Sequence, residues 1–492
     1  MNALLVYPEW PDTYWSFRHA LPFQGKRSAY PPLGLLTIAA LLPAHWAKRL
    51  VDTNVRALTD SDLEWADVAL VSGMLVQKEN LLAVLARCRA RGICTVVGGP
   101  IASGFGELHC YADHIVIGEA EELIAPLAED FERGKAKPQY RAAEMPSLDC
   151  SPVPDLSLIT TRHYSSMAIQ YSRGCPFNCE FCDIIEIYGR KPRTKSVAQV
   201  IAELEQLHRH KWKGSVFLVD DNFIGNKKNV KQLLPAMAEW NDRHRRPFSF
   251  FTEASVNLAD DPELLGMMKA AGFIRVFLGI ETPVEASLRE AHKLQNTHRS
   301  LLDSVRCIQQ HGIEVMAGFI VGFDSDPDDV FDRQVEFIQE SAIPIAMVGL
   351  LQALPGTQLY RRLGHEGRLG QRRKWQQHRM QSEFHSGNVC ATLAGRVSVD
   401  IEAHLRPGRL LRTSPAVSGS LPPHKSHAPV ALRLPRVVPF RPKAGCAWRR
   451  TCKLLEVSHR CRHTVPPCLR RCSDLGHYGL PLLLRDRESV PD

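Results

Sequence analysis

The chain has 492 residues, with 61 Lys+Arg against 53 Asp+Glu, 14 Cys and 44% hydrophobic content; that is too long for one small module and sets an expectation of two or three domains. No run approaches the roughly 18 to 20 consecutive apolar residues of a membrane span, and the first residues carry no basic, cleavable leader, so a cytoplasmic protein is expected rather than an integral membrane or secreted one. Cysteines diluted over such a chain read as thiols or metal ligands rather than as a disulfide scaffold.

Short β-rich runs at residues 4–7, 49–52, 68–72, 94–97 and 114–117 are separated by helical stretches such as 79–91. Alternation of this kind means parallel strands with crossover helices, and it predicts an open, doubly wound Rossmann-like α/β domain over residues 1–140. Ligands of such sheets bind at the carboxyl ends of the strands. Ser72-Gly73-Met74, Gly98-Gly99-Pro100 and Gly118-Glu119 stand there. Strand-end glycines either admit a large ligand to the backbone or simply make tight turns, and the residues alone leave both readings open. The Pro-containing stretch 141–164 reads as an interdomain linker.

A second αβ series fills residues 165–370. Strands are expected at 167–171, 216–219, 248–253, 275–279, 315–321 and 346–350, with helices at 197–208, 228–240, 262–270, 300–311, 327–341 and 358–363. Six βα units predict a partial (β/α)6 TIM-type barrel, with its chemistry at the carboxyl ends of the strands. Just after the first of these strands comes Cys175-Pro-Phe-Asn178-Cys179-Glu-Phe181-Cys182. Three thiolates so spaced can converge on one iron-sulfur cube and leave its fourth iron open to a substrate. The competing reading is a zinc knuckle, which usually needs a fourth protein ligand, and none stands nearby at ligand spacing.

Residues 371–492 differ in composition: 22 Lys+Arg against 8 Asp+Glu, with 12 Pro and 6 Cys and no sustained period. This tail reads either as a basic arm for nucleic acid or anionic lipid, or as an irregular segment translated in a shifted frame; the second reading is preferred.

Residues 165–365 resemble a radical S-adenosylmethionine (radical SAM) enzyme, and residues 1–140 resemble the cobalamin-binding domain that precedes it in the cobalamin-dependent branch. Besides the cysteine motif, the similarity rests on Pro31-Pro-Leu-Gly-Leu35, Arg190-Lys-Pro-Arg-Thr-Lys195, Val219-Asp-Asp-Asn-Phe-Ile-Gly-Asn-Lys-Lys228, Thr252-Glu-Ala-Ser255, Gly279-Ile-Glu-Thr-Pro283, Gly318-Phe-Ile-Val-Gly-Phe-Asp324 and Leu354-Pro-Gly-Thr357. Within that branch it points to a bacterial subgroup that includes the hopanoid C-2 methylase.

The resemblance implies that Cys175, Cys179 and Cys182 hold a [4Fe-4S] cluster that binds SAM. It implies that Phe181 lies against the adenine and that Asp220 and Asp221 stand where many relatives carry Gly-Gly-Glu at the SAM amino group. Glu253 and Glu281 would then reach the ribose or methionine moiety, and Gly318 and Gly322 would admit the adenine. Ser72, Gly73, Gly98, Gly99 and Gly118 would bound the cobalamin site. Asp52-Thr-Asn-Val-Arg-Ala57 replaces the Asp-x-His-x-x-Gly of histidine-ligating cobalamin proteins, which implies cobalamin bound without a protein histidine. The implied activity is reductive cleavage of SAM to a 5′-deoxyadenosyl radical and methyl transfer to an unactivated carbon of a lipid or natural product. The alternatives are another radical rearrangement or oxidation, or a cluster- and cobalamin-binding protein without turnover. Implied partners are a small-molecule or lipid substrate and an electron donor such as flavodoxin or ferredoxin. Nucleic acid is not expected, and membrane contact is at most transient and at the surface. Asp220, Asp221 and Tyr188 are candidates to handle a proton.

Overall fold

Strands whose two faces are both apolar need cover on both sides, and the N-terminal runs meet that condition. Alternate residues of each strand serve different cores: Ala3, Leu5, Leu50, Val68 and Leu70 pack on one face, and Leu4, Val6, Val51, Ala69 and Val71 on the other. The strands are β1 (Asn2–Tyr7), β2 (Ala47–Asp52), β3 (Val68–Ser72), β4 (Cys94–Gly98), β5 (His114–Ile117) and β6 (Gln139–Arg141). They form one parallel sheet in the order β2-β1-β3-β4-β5-β6. This order changes direction between β1 and β3, which puts the ligand crevice of a doubly wound sheet beyond those two strand ends. The computed structural model describes residues 1–12 and 16–369, so the expectation for 371–492 lies outside the described residues.

The sixth strand was not expected from sequence. Its burial alternates exposed, buried, exposed, with only Tyr140 turned inward, and three residues with one apolar side chain carry no period to detect. The following stretch, expected as a linker, is packed rather than free. Leu148, Leu156 and Tyr164 are buried, and the Gln199 side chain donates to the carbonyls of Leu148 and Ser151.

The second sheet begins with β7 (Met167–Ile169), followed by the short antiparallel pair β8 (Ser172–Arg173) and β9 (Arg193–Thr194). It continues with β10 (Gly214–Leu218), β11 (Phe248–Ala254), β12 (Phe273–Glu281), β13 (Glu314–Val321) and β14 (Ile345–Leu350). β7 and β10 to β14 lie side by side in chain order, all parallel, as a partial (β/α)6 barrel requires. The helix Val197–Arg209 starts at a Ser196/Gln199 capping box and buries Val200, Leu204 and Leu207 against the sheet. One apolar core runs from the first sheet into this helical layer.

The barrel's open edge at β7 is extended by the N-terminal part of the chain. Ser28 bridges Tyr164 in parallel, and the amides of Ser165 and Ser166 donate to the carbonyls of Ser28 and Ala29 at 3.0 Å each. Tyr30 then sets its ring 5.2 Å from that of Phe217 on β10, which stacks on Phe251 of β11 at 4.6 Å. Among the described residues, no helix is long and apolar enough to cross a membrane.

Candidate functional site

The cysteine loop leaves the carboxyl end of β7 through a turn that only glycine can make. Gly174 has φ +92°, and a Cβ there would sit 2.9 Å from the carbonyl of Gly189 and 3.0 Å from that of Tyr188. The two acids after β10 hold the strand-to-loop segment from beneath. Asp220 accepts from the Tyr171 amide at 2.7 Å and the Ser172 hydroxyl at 3.0 Å, and Asp221 accepts from the Gly174 amide at 3.2 Å. Both oxygens of Asp220 are therefore already engaged in shaping the loop. Gly174→Ala is expected to cost about 1–3 kcal/mol through the forced left-handed backbone alone, read as a lower urea midpoint together with less iron bound per chain.

The far side of the loop is fastened by the last described helix, Gln358–His365. Its Arg362 guanidinium forks onto the buried carboxylate of Glu180, inside the cysteine motif, and the Leu359 amide donates to the Glu180 carbonyl at 2.9 Å. Gln358 donates to Asn178 at 2.9 Å. Phe181 packs 6.3 Å from the Phe323 ring, in a small apolar cluster with Leu359 and Leu363.

The three thiols are unpaired with one another, and burial pushes those of Cys175 and Cys182 up. Sulfurs so placed give up their protons only against a metal cation, which suits a soft iron-sulfur group. Among the described residues, no three His, Cys, Asp or Glu side chains converge tightly enough for a single ion. A cube takes each thiolate on a different iron, so its ligands stand further apart than those of zinc. Side-chain amides reach two of the sulfurs: Asn222 lies 3.8 Å from Cys175 and Gln295 lies 3.6 Å from Cys179.

Across the barrel mouth stand Glu253 at the end of β11 and Glu281 at the end of β12. A register shift between Gly279 and Glu281 breaks the β12–β13 ladder, and Glu281 has φ +63°. Such a bulge re-aims a side chain at a cost of roughly 1–3 kcal/mol. The re-aimed carboxylate accepts from the buried Lys293 ammonium at 2.7 Å. Gly318 on β13 keeps clear of Phe277, whose ring would lie 3.0 Å from any Cβ there. Gly322 has φ +109° and donates its amide to Asp326 at 2.8 Å.

Among the described residues, no hydrogen bond reaches the Glu253 carboxylate. Burial, reinforced by Asp221 and Glu281, pushes its carboxyl up to about 7. A carboxyl raised on folding loses stability as pH climbs from its unfolded value of about 4.5 through the folded one, because the folded chain then has to release a proton it holds more tightly. Glu253→Gln is therefore expected to stabilise the cofactor-free chain at pH 8 by up to about 3 kcal/mol and to change little at pH 4. Urea denaturation at the two pH values checks this.

The strand ends of the first sheet explain some of their glycines without any ligand. A Cβ on Gly99 would lie 2.5 Å from the Ser72 hydroxyl and 3.2 Å from the Gly73 carbonyl, so this glycine lets two loops meet. Gly73 and Gly98 lie in ordinary packing contact, whereas the space around Gly118, φ +87°, is open. In the loop after β2, Asn54 accepts from the Trp10 amide at 2.8 Å and donates to Asp52 at 2.7 Å. It is too fully engaged to ligate a metal.

The residue after Gly118 ties this sheet to the cysteine loop. Arg173, two residues before Cys175, pairs with Glu119 at 2.7 Å and Glu121 at 2.6 Å, and Arg193 of β9 also holds Glu119. Arg173, Glu121, Lys293, Gln295 and Arg362 were not given a role from sequence, and Arg193 stood there only as part of the Arg190–Lys195 stretch. Such residues look like surface charge until their partners are known, and apart from Lys293, which pairs with Glu281 twelve positions away, those partners lie roughly 50 to 180 residues off in the chain.

The chain was compared with known proteins. The model of the radical SAM superfamily matches residues 169–338. An uncharacterized methyltransferase of Synechocystis sp. is 47% identical over 371 residues, covering 75% of this chain and 69% of the relative. The hopanoid C-2 methylase of Rhodopseudomonas palustris is 39% identical over 373 residues, covering 75% and 71%. Among solved structures, the radical SAM methyltransferase TsrM from Kitasatospora setae, with cobalamin and a [4Fe-4S] cluster bound, superposes with TM-score 0.64 at 14% identity, over 83% of this chain and 90% of that one. The cobalamin-dependent radical SAM enzyme OxsB superposes with TM-score 0.55 at 18% identity, over 70% of this chain and 53% of that one. At these identities the two structures establish a shared fold.

Proposed function

The chain belongs to the radical SAM superfamily, among relatives named as methyltransferases, and on that premise we propose that it transfers a methyl group to an unactivated carbon of a lipid or polycyclic natural product, using cobalamin. The observation that carries this reading is the Arg173–Glu119/Glu121 contact. It brings the open end of the first sheet at Gly118 against the cysteine loop, so a methyl carrier bound over that sheet and a cluster bound in that loop would serve one substrate.

Cys175, Cys179 and Cys182 would hold the [4Fe-4S] cluster, with SAM between it and the acids at the barrel mouth; Ser72, Gly98 and Gly118 would bound the cobalamin. When bound, the cluster and SAM supply a 5′-deoxyadenosyl radical able to take hydrogen from an unactivated carbon, and cobalamin supplies the methyl group. The protein's share is to place these groups and keep water out. Asp220 and Asp221 set the height of the loop, and Arg362 closes it from the far side. Glu281, fixed by Lys293, and Glu253 would offer carboxylates to the ribose or methionine moiety of SAM. The Phe217–Phe251 stack with Tyr30 over it forms an apolar wall that suits a hydrocarbon better than a charged metabolite.

Methyl-labelled SAM tests the reading. The chain, expressed with cobalamin in a host that makes polycyclic lipids, is expected to move the label onto a carbon of such a product, and to stop doing so when cobalamin is withheld. Deoxyadenosine formed while every label stays on SAM or water-soluble products would replace methylation with another radical reaction.

A further inference from the structure

Resting on the cluster reading above, we propose that Gln295 is a positioning residue for the cluster: its side-chain amide donates to the Cys179 sulfur and so raises the potential at which the cluster accepts its electron. Gln295 sits on the short turn Leu294–Asn296, which follows β12 and the helix Glu285–Glu290. The turn is held from several sides. Asn296 donates to the carbonyls of Gly279 and Ile280 at 3.0 Å each, the Lys293 amide donates to Leu288 at 2.8 Å, and the Lys293 ammonium pairs with Glu281. The cysteine loop leans on the same segment, since the Glu180 amide donates to the Ala291 carbonyl at 2.9 Å. With the turn so fixed, the Gln295 Nε2 lies 3.6 Å from the Cys179 sulfur.

The other end of the same amide argues for an anionic partner. Its Oε1 is buried and has no hydrogen-bond partner. A buried amide that leaves its carbonyl orphaned and spends its N–H on a neutral thiol is poorly satisfied, because a thiol is a weak acceptor. The same N–H facing a metal-bound thiolate makes a charge-assisted bond, which is stronger. Asn222 likewise places an N–H 3.8 Å from the Cys175 sulfur, although its carbonyl already accepts from Ser255. Reduction adds one electron, supplied by an external low-potential donor, and increases the negative charge on the sulfurs. A donor to sulfur therefore stabilises the reduced form more than the oxidised one, and hydrogen bonds to sulfur are among the levers that set cluster potentials.

Reconstituted wild type, Gln295→Leu and Gln295→Glu are compared by iron and sulfide content and by a mediated potential titration read by electron paramagnetic resonance. All three are expected to carry a full cluster. The midpoint should fall from wild type to Gln295→Leu, which lacks the donor, and fall again in Gln295→Glu, which also adds a negative charge. Deoxyadenosine formation should slow about 10- to 100-fold in the leucine variant. Equal midpoints in the three proteins would overturn the proposal, and so would loss of the cluster from Gln295→Leu, which would show that the residue only shapes the loop. A wild-type chain that binds no cluster at all would instead overturn the cluster reading.

Discussion

Cys179→Ala protein, reconstituted anaerobically with iron and sulfide, is expected to show no stable [4Fe-4S] absorbance and no 5′-deoxyadenosine above that of cluster-free protein, while its fold is retained. Cys179 is the middle sulfur of the three and the most enclosed. Removing it leaves two thiols for a cube whose remaining iron already has to stay open for SAM. The neighbours that hold the loop, Asp220, Asp221 and Arg362, bond to residues other than Cys179, so the loop has no reason to unfold. A Cys179→Ala protein that still makes deoxyadenosine at the wild-type rate would remove the motif from the chemistry. Cys110→Ala, at an exposed thiol of the first domain, should leave cluster content unchanged.

Arg173→Met is expected to be the most destabilising single change at the junction of the two sheets, by about 3–5 kcal/mol at pH 7. The guanidinium and both its carboxylate partners are buried; Glu119 keeps Arg193, but Glu121 is left without an ionic partner. In the intact protein, burial raises the Glu121 carboxyl and Arg173 more than offsets it, so the group titrates below the usual carboxylate range. Stability from a depressed carboxyl is present above its unfolded value and is lost as pH falls through the folded one. In the variant the buried carboxylate prefers its proton, so acidification helps it. The gap between wild type and Arg173→Met should therefore shrink between pH 7 and pH 4. Adding Glu121→Gln to the variant should recover part of the loss, a coupling that urea denaturation of the single and double variants measures.

The barrel strands β10 to β14 were legible because they run for five to nine residues and are separated by amphipathic helices, and β7, three residues long, because an apolar run marks it. The expected and observed strands of β3 and β5 coincide, and the other expected strands differ by one or two residues at an end. Where the chain uses few or polar residues, the pattern carried nothing: β6 has one inward side chain, and the edge segment around Ser28 meets Tyr164 through a single backbone bridge. The cysteines announced themselves by spacing, since three thiols within eight residues need no fold to bring them together. Their supports did not, because Gln295, Lys293 and Arg362 reach the loop from distant parts of the chain. The strand-end glycines show a different limit. Gly99 and Gly118 look alike in sequence, yet one is required by a neighbouring loop and the other opens on space.

One measurement bears most directly on the whole account. The chain is reconstituted anaerobically with iron, sulfide and hydroxocobalamin, freed of unbound cofactor, reduced in the presence of SAM, and assayed for retained cobalamin and for 5′-deoxyadenosine. One cobalamin and one [4Fe-4S] cluster retained per chain are expected, in line with one site at each sheet, with deoxyadenosine that depends on all three cysteines of the loop. A chain that holds the cluster yet retains no cobalamin and cleaves no SAM would contradict that expectation.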